Sequence, residues 1–560
     1  MNNSQISDRI NRLASMMSLL DENPFKIRSF EKAARIVRDH EEDMGVLVDE
    51  DRLKDVPGVG STLAYVIMYY AKAGTVGLET ELESQLPVGL ADLLDLPGLG
   101  MQKVKLLWRE YDINNIESLQ LACEGDKLSS MKGFGPKLQV KLLDAIAFRS
   151  IHEKDFYLDI ALSAAQRWMD NLNRLPGVGR VELTGKLRCG DKLIQSVEIL
   201  VEADQARLIS ELNDHYDYAL SDATPLIFND KSTIPIHLWV CSSENFAAAQ
   251  LVRTGGEVYS ENLNKIYGSE ADSTIQVLSE QVNTSSEKSL CAFIGIQWIE
   301  PELRDVYAHF PEDIKLITED DITGTFHAHS TWSDGRNSLE ELAEATRKIG
   351  YQYLGISEHS QAAYYANGLK PDRVKSQWER INELNEGYSD FHIFKGIEAD
   401  ILSDGSLDYD EDLLAGFDFV IASIHSHFHL DPVKQTDPIV RALQSPFTTI
   451  LGHPTGRMLM ARPGYNPDLP TIMDVAAEHD KIIEINTTPK RLDLDWRHLK
   501  YAREKGVKIS IDPDAHSISG LNTVPLGVQM ARKGGLSASD VVNTIDMDEM
   551  TTFLKARRGK

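Results

Sequence analysis

The chain has 560 residues and a formal net charge of −28 at pH 7, and at roughly 100 to 200 residues per domain this length predicts three or four domains. It contains no apolar stretch long enough for a transmembrane helix and no signal peptide, so we expect a cytoplasmic protein that does not bind membranes. Its four cysteines lie far apart without a Cys-x-x-Cys pair, which fits a reducing compartment and argues against a thiolate zinc site.

The N-terminal third repeats a glycine pattern between helical segments. The copies are Val56-Pro-Gly-Val-Gly60, Leu96-Pro-Gly-Leu-Gly100 and, more loosely, Met131-Lys-Gly-Phe-Gly135. This pattern is typical of helix-hairpin-helix units, in which glycines allow a tight turn and the first backbone N–H groups of the next helix hold a phosphate. One copy alone is more often a plain helix connection, but three copies favour nucleic acid as the ligand. We therefore predict DNA binding at the hairpin glycines Gly58, Gly60, Gly98, Gly100, Gly133 and Gly135.

The C-terminal part places histidines and carboxylates at or just after apolar runs that read as buried parallel strands. For example, His425 follows such a run, and so do Asp514 and His516. Closing alternating strands and helices into a barrel brings the carboxyl ends of the strands to one rim, so residues far apart in sequence can meet. Imidazole suits zinc, iron and manganese, and a carboxylate can bridge two cations. A single histidine such as His359 is more often structural, but the whole set predicts a site for two or three divalent metals.

The order of these motifs resembles the PHP (polymerase and histidinol phosphatase) domain. The matching motifs are His327-Ala-His329, Ser333-Asp-Gly335, Glu358-His359, Gly396-Ile-Glu398, Ser423-Ile-His425, His453-Pro and Asp514-Ala-His516. The resemblance implies a distorted seven-stranded (βα)7 barrel with a trinuclear centre of Zn, Mn or Fe. Its ligands would be His327, His329, Asp334, His359, Glu398, His425, His453, Asp514 and His516. We expect them to group as His327, His329, Glu398 and Asp514 on one metal, Glu398, His425 and His453 on a second, and Asp334, His359 and His516 on a third.

Phosphoester hydrolysis is the chemistry expected of such a centre, because clustered divalent metals activate water and clamp phosphate oxygens. Arg457, in His453-Pro-Thr-Gly-Arg457, can offer a bidentate fork to a phosphate oxygen. A structural ion pair is an equally weighted alternative for this arginine.

Hairpin repeats at one end and a PHP-like barrel at the other are the outer parts of bacterial family X DNA polymerases. The resemblance covers nearly the whole chain, since Gly185-Lys-Leu-Arg-Cys-Gly190 resembles the nucleotide-binding turn of that family and Thr254-Gly-Gly256 also matches. It implies a nucleotidyltransferase-like α/β palm and thumb in the middle segment. In a working palm, three aspartates hold two magnesium ions.

Those three aspartates are absent from this chain. Ser196 and Glu198 stand at the first two positions, and His237 stands at the third. Serine carries no charge, and histidine is a poor partner for magnesium, which prefers oxygen ligands. We therefore predict a folded palm with weak or no polymerase activity and doubt a magnesium site there.

The predicted organisation is multidomain, with α and α/β parts. Residues 1–150 form the helix-hairpin-helix domain, 151–318 the degenerate palm and thumb, and 322–560 the PHP phosphoesterase barrel. The acidic balance predicts modest, salt-sensitive affinity for DNA. Since the family is often monomeric, we expect a monomer.

We predict a metal-dependent 3′ to 5′ DNA exonuclease or 3′-end-processing enzyme of repair, with cleavage at abasic sites as a further activity. Its partner would be DNA with gapped, nicked or recessed 3′ ends. The alternatives are an active gap-filling polymerase with a PHP exonuclease, a small-molecule phosphatase of the histidinol-phosphate type and, least favoured, a DNA-binding scaffold.

Overall fold

The computed structural model describes residues 1, 3–40, 42–215, 224–228, 234–268, 270–281, 284, 286–304, 314–425 and 432–557. The chain divides into two compact units, of which the first is Met1–Asp155 with two short outlying segments and the second is the remainder. Within the described ranges, no helix has the length and apolar character needed to cross a membrane.

The first unit is helical and has one continuous apolar core. Helix α2 shows how its elements begin: the side chain of Asn23 accepts a hydrogen bond from the Phe25 N–H, and Pro24 occupies the first position, where a missing N–H is harmless. The helices of this unit are α1 (Asn3–Leu19), α2 (Pro24–Asp39), α3 (Met44–Asp49), α4 (Ser61–Ala73), α5 (Gly77–Ser84), α6 (Met101–Tyr111), α7 (Ile116–Glu124) and α8 (Pro136–Ile151).

The second unit begins with a mixed α/β region. Its strands are β1 (Phe156–Tyr157), β2 (Val181–Thr184), β3 (Leu193–Ile194), β4 (Val197–Glu202), β5 (Leu226–Phe228) and β6 (Ile236–Cys241). Among the described residues, β2-β4-β6-β5 form a four-stranded sheet in which β4 and β6 run parallel and the other pairs antiparallel. The helices are α9 (Leu158–Leu172), α10 (Gly185–Arg188), α11 (Gln205–His215), α12 (Phe246–Arg253), α13 (Glu257–Tyr267), α14 (Ala271–Gln281) and α15 (Glu287–Ile294).

The C-terminal region is a parallel barrel. Its strands are β7 (Gly324–Ala328), β8 (Tyr353–His359), β9 (His392–Asp400), β10 (Phe419–Ser423), β11 (Ile450–Leu451), β12 (Ile482–Asn486) and β13 (Lys508–Asp512). These seven strands pair in chain order, and the sheet nearly closes where Ala328 bridges Ala515 beyond β13. The helices are α16 (Leu339–Ile349), α17 (Pro371–Glu386), α18 (Glu411–Leu414), α19 (Pro432–Gln444), α20 (Leu469–Glu478), α21 (Trp496–Lys505), α22 (Ile518–Leu521), α23 (Val524–Lys533) and α24 (Met547–Lys555).

Aromatic side chains fill the barrel towards the starts of the strands. Phe326 and Phe419 pack edge to face at 4.9 Å between ring centroids, and both are buried. Gly396 makes room for this pair, because a Cβ there would lie 2.1 Å from Phe419 Cζ. The opposite rim, at the carboxyl ends of the strands, is left for polar side chains.

The domain limits expected from sequence differ slightly from the element ends. The limit at residue 150 falls inside α8, and residues before 322 already pair with the barrel, since Ile317 N–H donates to the Leu536 carbonyl at 3.0 Å. The palm and barrel ranges lie in one compact unit and share contacts such as the Lys533 ammonium, which donates to the Cys189 carbonyl at 2.8 Å. The division into three domains stays a prediction.

Candidate metal centre

The predicted ligands lie at the carboxyl rim of the barrel, where parallel strands bring their ends together. His327 is in β7, His359 ends β8 and Glu398 is near the end of β9, while the other ligands sit in the segments that follow β7, β10, β11 and β13. Three of them, His327, His453 and Asp514, have positive φ values of 56°, 24° and 48°. Side chains other than glycine rarely adopt this conformation, and such residues concentrate at functional sites.

Glu398 is the centre of the cluster. Its Oε1 lies 2.9 Å from His453 Nε2, 3.1 Å from His425 Nε2 and 3.4 Å from His327 Nε2. Its Oε2 lies 2.9 Å from His359 Nδ1. The carboxylate therefore has an oxygen directed to each side and can bridge two cations.

Asp514 and Asp334 extend the cluster on one side of Glu398. Asp514 Oδ1 lies 3.3 Å from His329 Nε2 and 3.5 Å from His327 Nε2. Asp334 Oδ1 lies 3.5 Å from His516 Nε2 and 3.7 Å from His359 Nε2. All nine predicted ligands are thus brought together.

The ligand atoms fall into overlapping groups whose members lie within 4.8 Å of one another. Asp334, His359 and His516 share one group, as expected, but His329 joins them. The remaining groups are His327, His453 and Asp514, then His327, His329 and Glu398, then His359, Glu398 and His425. These groups differ from the expected ones in the assignment of three histidines, His329, His359 and His453. The reason is that each of these rings lies between two neighbouring carboxylates.

The donor set fits a metal cluster. Among the described residues, His327 Nε2 and both ring nitrogens of His329 are buried and make no hydrogen bond. A buried polar atom without a partner is costly. The Nε2 atoms of His327 and His329 lie 3.5 Å and 3.3 Å from Asp514 Oδ1, so one cation could satisfy both.

Electrostatics favour the metal-binding forms of three ligands, His329, Glu398 and Asp514. Burial, followed by the charges of His516 and His359, lowers the pKa of His329 to about 3, so its imidazole stays neutral. Burial would raise the pKa of Glu398 and of Asp514, but the neighbouring histidines outweigh it and hold both pKa values well below the usual range. Neutral imidazole and ionised carboxylate are the forms that coordinate divalent metals. Burial would lower the pKa of His327, His425 and His516, but the neighbouring carboxylates outweigh it and raise all three pKa values, so these rings must lose a proton when a metal binds.

Supporting carboxylates surround the ligands and were not identified from the sequence. The His327 Nδ1–H donates to Glu484 Oε1 at 2.5 Å, and the His425 Nδ1–H donates to Asp400 Oδ1 at 2.7 Å. Such pairs fix the ring orientation and leave Nε2 for the metal. Glu484 had a recognisable signal, since it is a lone charge within the apolar strand β12.

Arg491 lies beside the centre, and Arg457 takes part in an ion pair. Arg457 Nη1 donates to Asp495 at 2.5 Å and its Nε donates to the Arg491 carbonyl at 2.8 Å, which is the ion-pair alternative considered from sequence. The Nε of Arg491 lies 4.0 Å from Asp514 Oδ2, and its side chain is 21% exposed. Arg457 thus holds the backbone of the segment that carries Arg491.

The three positions of the palm where aspartates were expected lie together on the sheet, and only one of them carries a carboxylate. Glu198 on β4 and His237 on β6 are direct register partners, and Ser196 precedes β4. The Trp239 Nε1–H donates to Glu198 Oε2 at 3.0 Å. In the described part of the palm, no three histidine, cysteine or acidic side chains come close enough to hold an ion.

The three hairpins share one backbone geometry. Gly58, Gly98 and Gly133 have φ values of 89°, 89° and 90°, which other residues rarely adopt. Each is followed by a buried apolar residue and then by a second glycine at the start of a helix, namely Gly60, Gly100 or Gly135. Apart from the adjoining residues and the backbone of the helix, no described heavy atom lies within 4 Å of the point where a side chain would begin on these second glycines. The first N–H groups of α4, α6 and α8 can therefore be approached by a phosphate.

Comparisons with known proteins agree with this architecture. Residues 1–76 match the family described as helix-hairpin-helix domain, and residues 325–488 match the PHP domain. Both matches confirm the fold predicted for the two ends of the chain. A probable phosphatase of Thermoanaerobacter sp. (strain X514) is 28% identical over 42% of this chain and 91% of its own length.

A further relative extends over the whole sequence. The DNA polymerase/3'-5' exonuclease PolX of Bacillus subtilis (strain 168) is 33% identical, and the alignment covers 99% of this chain and 100% of that protein. The predicted resemblance is thereby confirmed, and the chain belongs to the bacterial family X DNA polymerases that carry a C-terminal PHP domain.

Proposed function

We propose that this protein is a metal-dependent 3′ to 5′ DNA exonuclease of repair whose chemistry takes place in the barrel and whose palm does not polymerise. The convergence of eight predicted ligand side chains around Glu398 carries this proposal, together with the single carboxylate at the palm positions. The hairpins of the first unit would hold the DNA backbone, and gapped, nicked or 3′-recessed ends would be the substrates.

Two or three divalent cations of Zn, Mn or Fe, held by the nine ligands, would supply a hydroxide nucleophile at neutral pH and neutralise the phosphodiester. Glu484 and Asp400 would keep the rings of His327 and His425 in the metal-binding tautomer. Arg491 would donate to a non-bridging phosphate oxygen, because its guanidinium is partly exposed beside Asp514. Arg457 would act as a positioning residue through the Arg491 carbonyl.

The test gives the purified protein a 5′-labelled gapped primer-template with Mn²⁺ and all four deoxynucleotides. The control is the double variant His329→Ala, Asp514→Ala. Shortening of the primer by the wild type and not by the variant supports the proposal. Extension by both proteins would overturn it and identify an active polymerase.

A second arm separates DNA from small phosphate esters. A free phosphomonoester and a duplex with an internal abasic site are given to the same two proteins. Faster turnover of the monoester than of DNA would favour the phosphatase alternative. Incision of the abasic duplex by the wild type alone would place abasic-site cleavage in the same centre.

A further inference from the structure

Two adjacent tyrosines project from the segment between β8 and α17. Tyr364 is 86% exposed and Tyr365 is 65% exposed. Their ring centroids lie 6.0 Å apart at an interplanar angle of 77°. Neighbouring exposed rings give the folded state little stabilisation, since large apolar groups stabilise mainly by leaving water.

The segment that carries the rings is fixed at both ends to the metal centre. The Ser360 N–H donates to the Glu398 carbonyl at 3.0 Å, and the Leu369 N–H donates to the His359 carbonyl at 2.8 Å. Both acceptors belong to predicted metal ligands. The tyrosines therefore stand on backbone that leaves the centre and returns to it.

Further hydrogen bonds hold the middle of the segment. The Ala362 N–H donates to Asp408 Oδ2 at 2.5 Å. The Asn367 Nδ2 amide donates to the Ser333 carbonyl at 3.0 Å, in the segment that carries Asp334. The two rings are thus presented by an ordered backbone, and a ligand that stacks on them need not order the loop first.

Tyr365 also lies within electrostatic reach of the ligands. Partial loss of hydration, followed by the negative charges of Asp400, Glu398 and Asp334, raises the pKa of its phenol to about 12. The phenol of Tyr365 is therefore close enough to these carboxylates to be affected by their charge.

Charge explains why stacking would be useful in this chain. The net charge of −28 limits attraction of DNA through phosphates alone. Stacking of a base on an aromatic ring does not depend on the charge of the protein, and it tolerates every base because each has a π face. An unpaired base can turn onto the rings and enter the barrel without first losing its base pair, whereas a base at the end of a duplex must be unpaired at a cost.

We propose that Tyr364 and Tyr365 form a stacking platform for the terminal bases of a single-stranded DNA 3′ end and direct that end into the barrel. This rests on the proposed exonuclease. The platform makes unpaired 3′ termini the preferred substrate over blunt duplex ends. Each stacked base is expected to strengthen binding by about 5- to 150-fold.

Binding is measured first, with a single-stranded oligonucleotide that carries 2-aminopurine at its 3′ terminus. The protein carries His329→Ala and Asp514→Ala, so that the strand is not cut. We expect quenching on binding, and we expect the added pair Tyr364→Ala, Tyr365→Ala to weaken binding by at least fivefold. The pair Tyr364→Phe, Tyr365→Phe keeps the rings and should retain the affinity.

Kinetics in the otherwise wild-type protein give a second readout. The alanine pair should raise KM for the single strand and leave hydrolysis of glycerophosphoglycerol unchanged, because that phosphodiester has no aromatic group to stack. Phe293→Ala removes another exposed aromatic ring and serves as the matched control. An oligonucleotide ending in tetrahydrofuran residues should abolish the difference between the alanine pair and the wild type.

Equal affinity of the alanine pair and its parent would overturn the platform, and so would an equal loss on the tetrahydrofuran oligonucleotide. Failure of the wild type to shorten any DNA would instead overturn the proposed function. The two failures are therefore distinguishable.

Discussion

A buried carboxylate joins the palm to the barrel and allows a quantitative prediction. The Asp495 side chain is 5% exposed and contacts Lys192 of the palm together with Arg457 and Arg497 of the barrel. Asp495→Asn removes the charge and nearly keeps the shape. Arg497, 61% exposed, is easily rehydrated, but Lys192 and Arg457, at 20% and 14%, are left without their counter-charge.

Removing one partner of a buried ion pair costs about 3–5 kcal/mol. Because one of the three cations is largely exposed, we expect the lower end of this range, about 3 kcal/mol of unfolding free energy. Urea unfolding of the full chain, followed by tryptophan fluorescence, measures the change. Asp390→Asn, which removes an exposed partner of Arg347, is the control and should change little. A loss below about 1 kcal/mol for Asp495→Asn would refute this reasoning.

The same pair of proteins gives a pH test. Burial would raise the pKa of Asp495, but hydrogen bonds from Arg497 and the charges of Arg457 and Lys192 hold it well below its usual range. A depressed carboxylate pKa stabilises the folded state above the unfolded pKa, near 3.9, and this contribution is lost as the pH falls. The difference between wild type and variant should therefore narrow below about pH 4, by about 1.4 kcal/mol per pH unit. A difference that stays constant would contradict the assignment.

Three more outcomes follow from the geometry. Gly396→Ala would press a Cβ against Phe419 and should cost about 1–3 kcal/mol, measured by thermal unfolding. Gly98→Ala, at a φ of 89°, should destabilise the helical unit, whereas Gly100→Ala, with open space at its Cβ, should keep the stability and weaken DNA binding in a gel-shift titration. A chelator should lower the unfolding temperature of the wild type and leave that of the His329→Ala, Asp514→Ala variant unchanged; readded Mn²⁺ should reverse the effect, since a ligand that binds only the folded state stabilises it.

The convergence of the nine side chains could be predicted from the motifs of the PHP domain, because their residues follow strands that a barrel must bring to one rim. Their role as metal ligands stays a prediction. The position of each ring within the cluster could not be predicted, because it depends on partners fixed only by the closed fold. The Nδ1–H of His327 donates to Glu484, which lies far along the chain on β12. The orientation of Arg457 could not be predicted for the same reason. Its guanidinium donates to Asp495 and to the Leu492 carbonyl, and its short distance in sequence from His453 gives no sign of these contacts.

The Pro-Gly-x-Gly motif predicts a helical hairpin only when the residues that follow it have a helical pattern. Pro176-Gly-Val-Gly179 has the same letters as Pro57-Gly-Val-Gly60 of the first hairpin motif, and Gly177 has a φ of 84°. Yet the chain enters strand β2 there, and the Gly179 N–H pairs with the Glu202 carbonyl at 2.8 Å. The tetrapeptide therefore specifies a tight turn, and the apolar pattern that follows decides whether a helix or a strand begins.

The turn Gly185–Gly190, which resembles the nucleotide-binding turn, is engaged in other contacts. The Arg188 guanidinium donates to Glu287 at 2.6 Å, and the Cys189 carbonyl accepts from the buried Lys533 of α23. Lys533 also pairs with Asp191 at 2.8 Å, just beyond the turn. A bound triphosphate would compete with Glu287 for the arginine and would meet a backbone already held against the barrel.

If the palm does not polymerise, as proposed, these contacts mean that restoring the metal-binding carboxylates alone is not expected to produce a polymerase. The variant to test combines Ser196→Asp, Glu198→Asp and His237→Asp. It supplies the oxygen ligands that magnesium prefers, but it leaves the contacts of the turn unchanged. We expect no primer extension with Mg²⁺ or Mn²⁺ on a gapped template when the barrel ligands are also removed by His329→Ala and Asp514→Ala, so that shortening cannot hide extension. Measurable extension would mean that the missing aspartates alone silence the palm and that the contacts of Arg188 and Lys533 yield to a nucleotide.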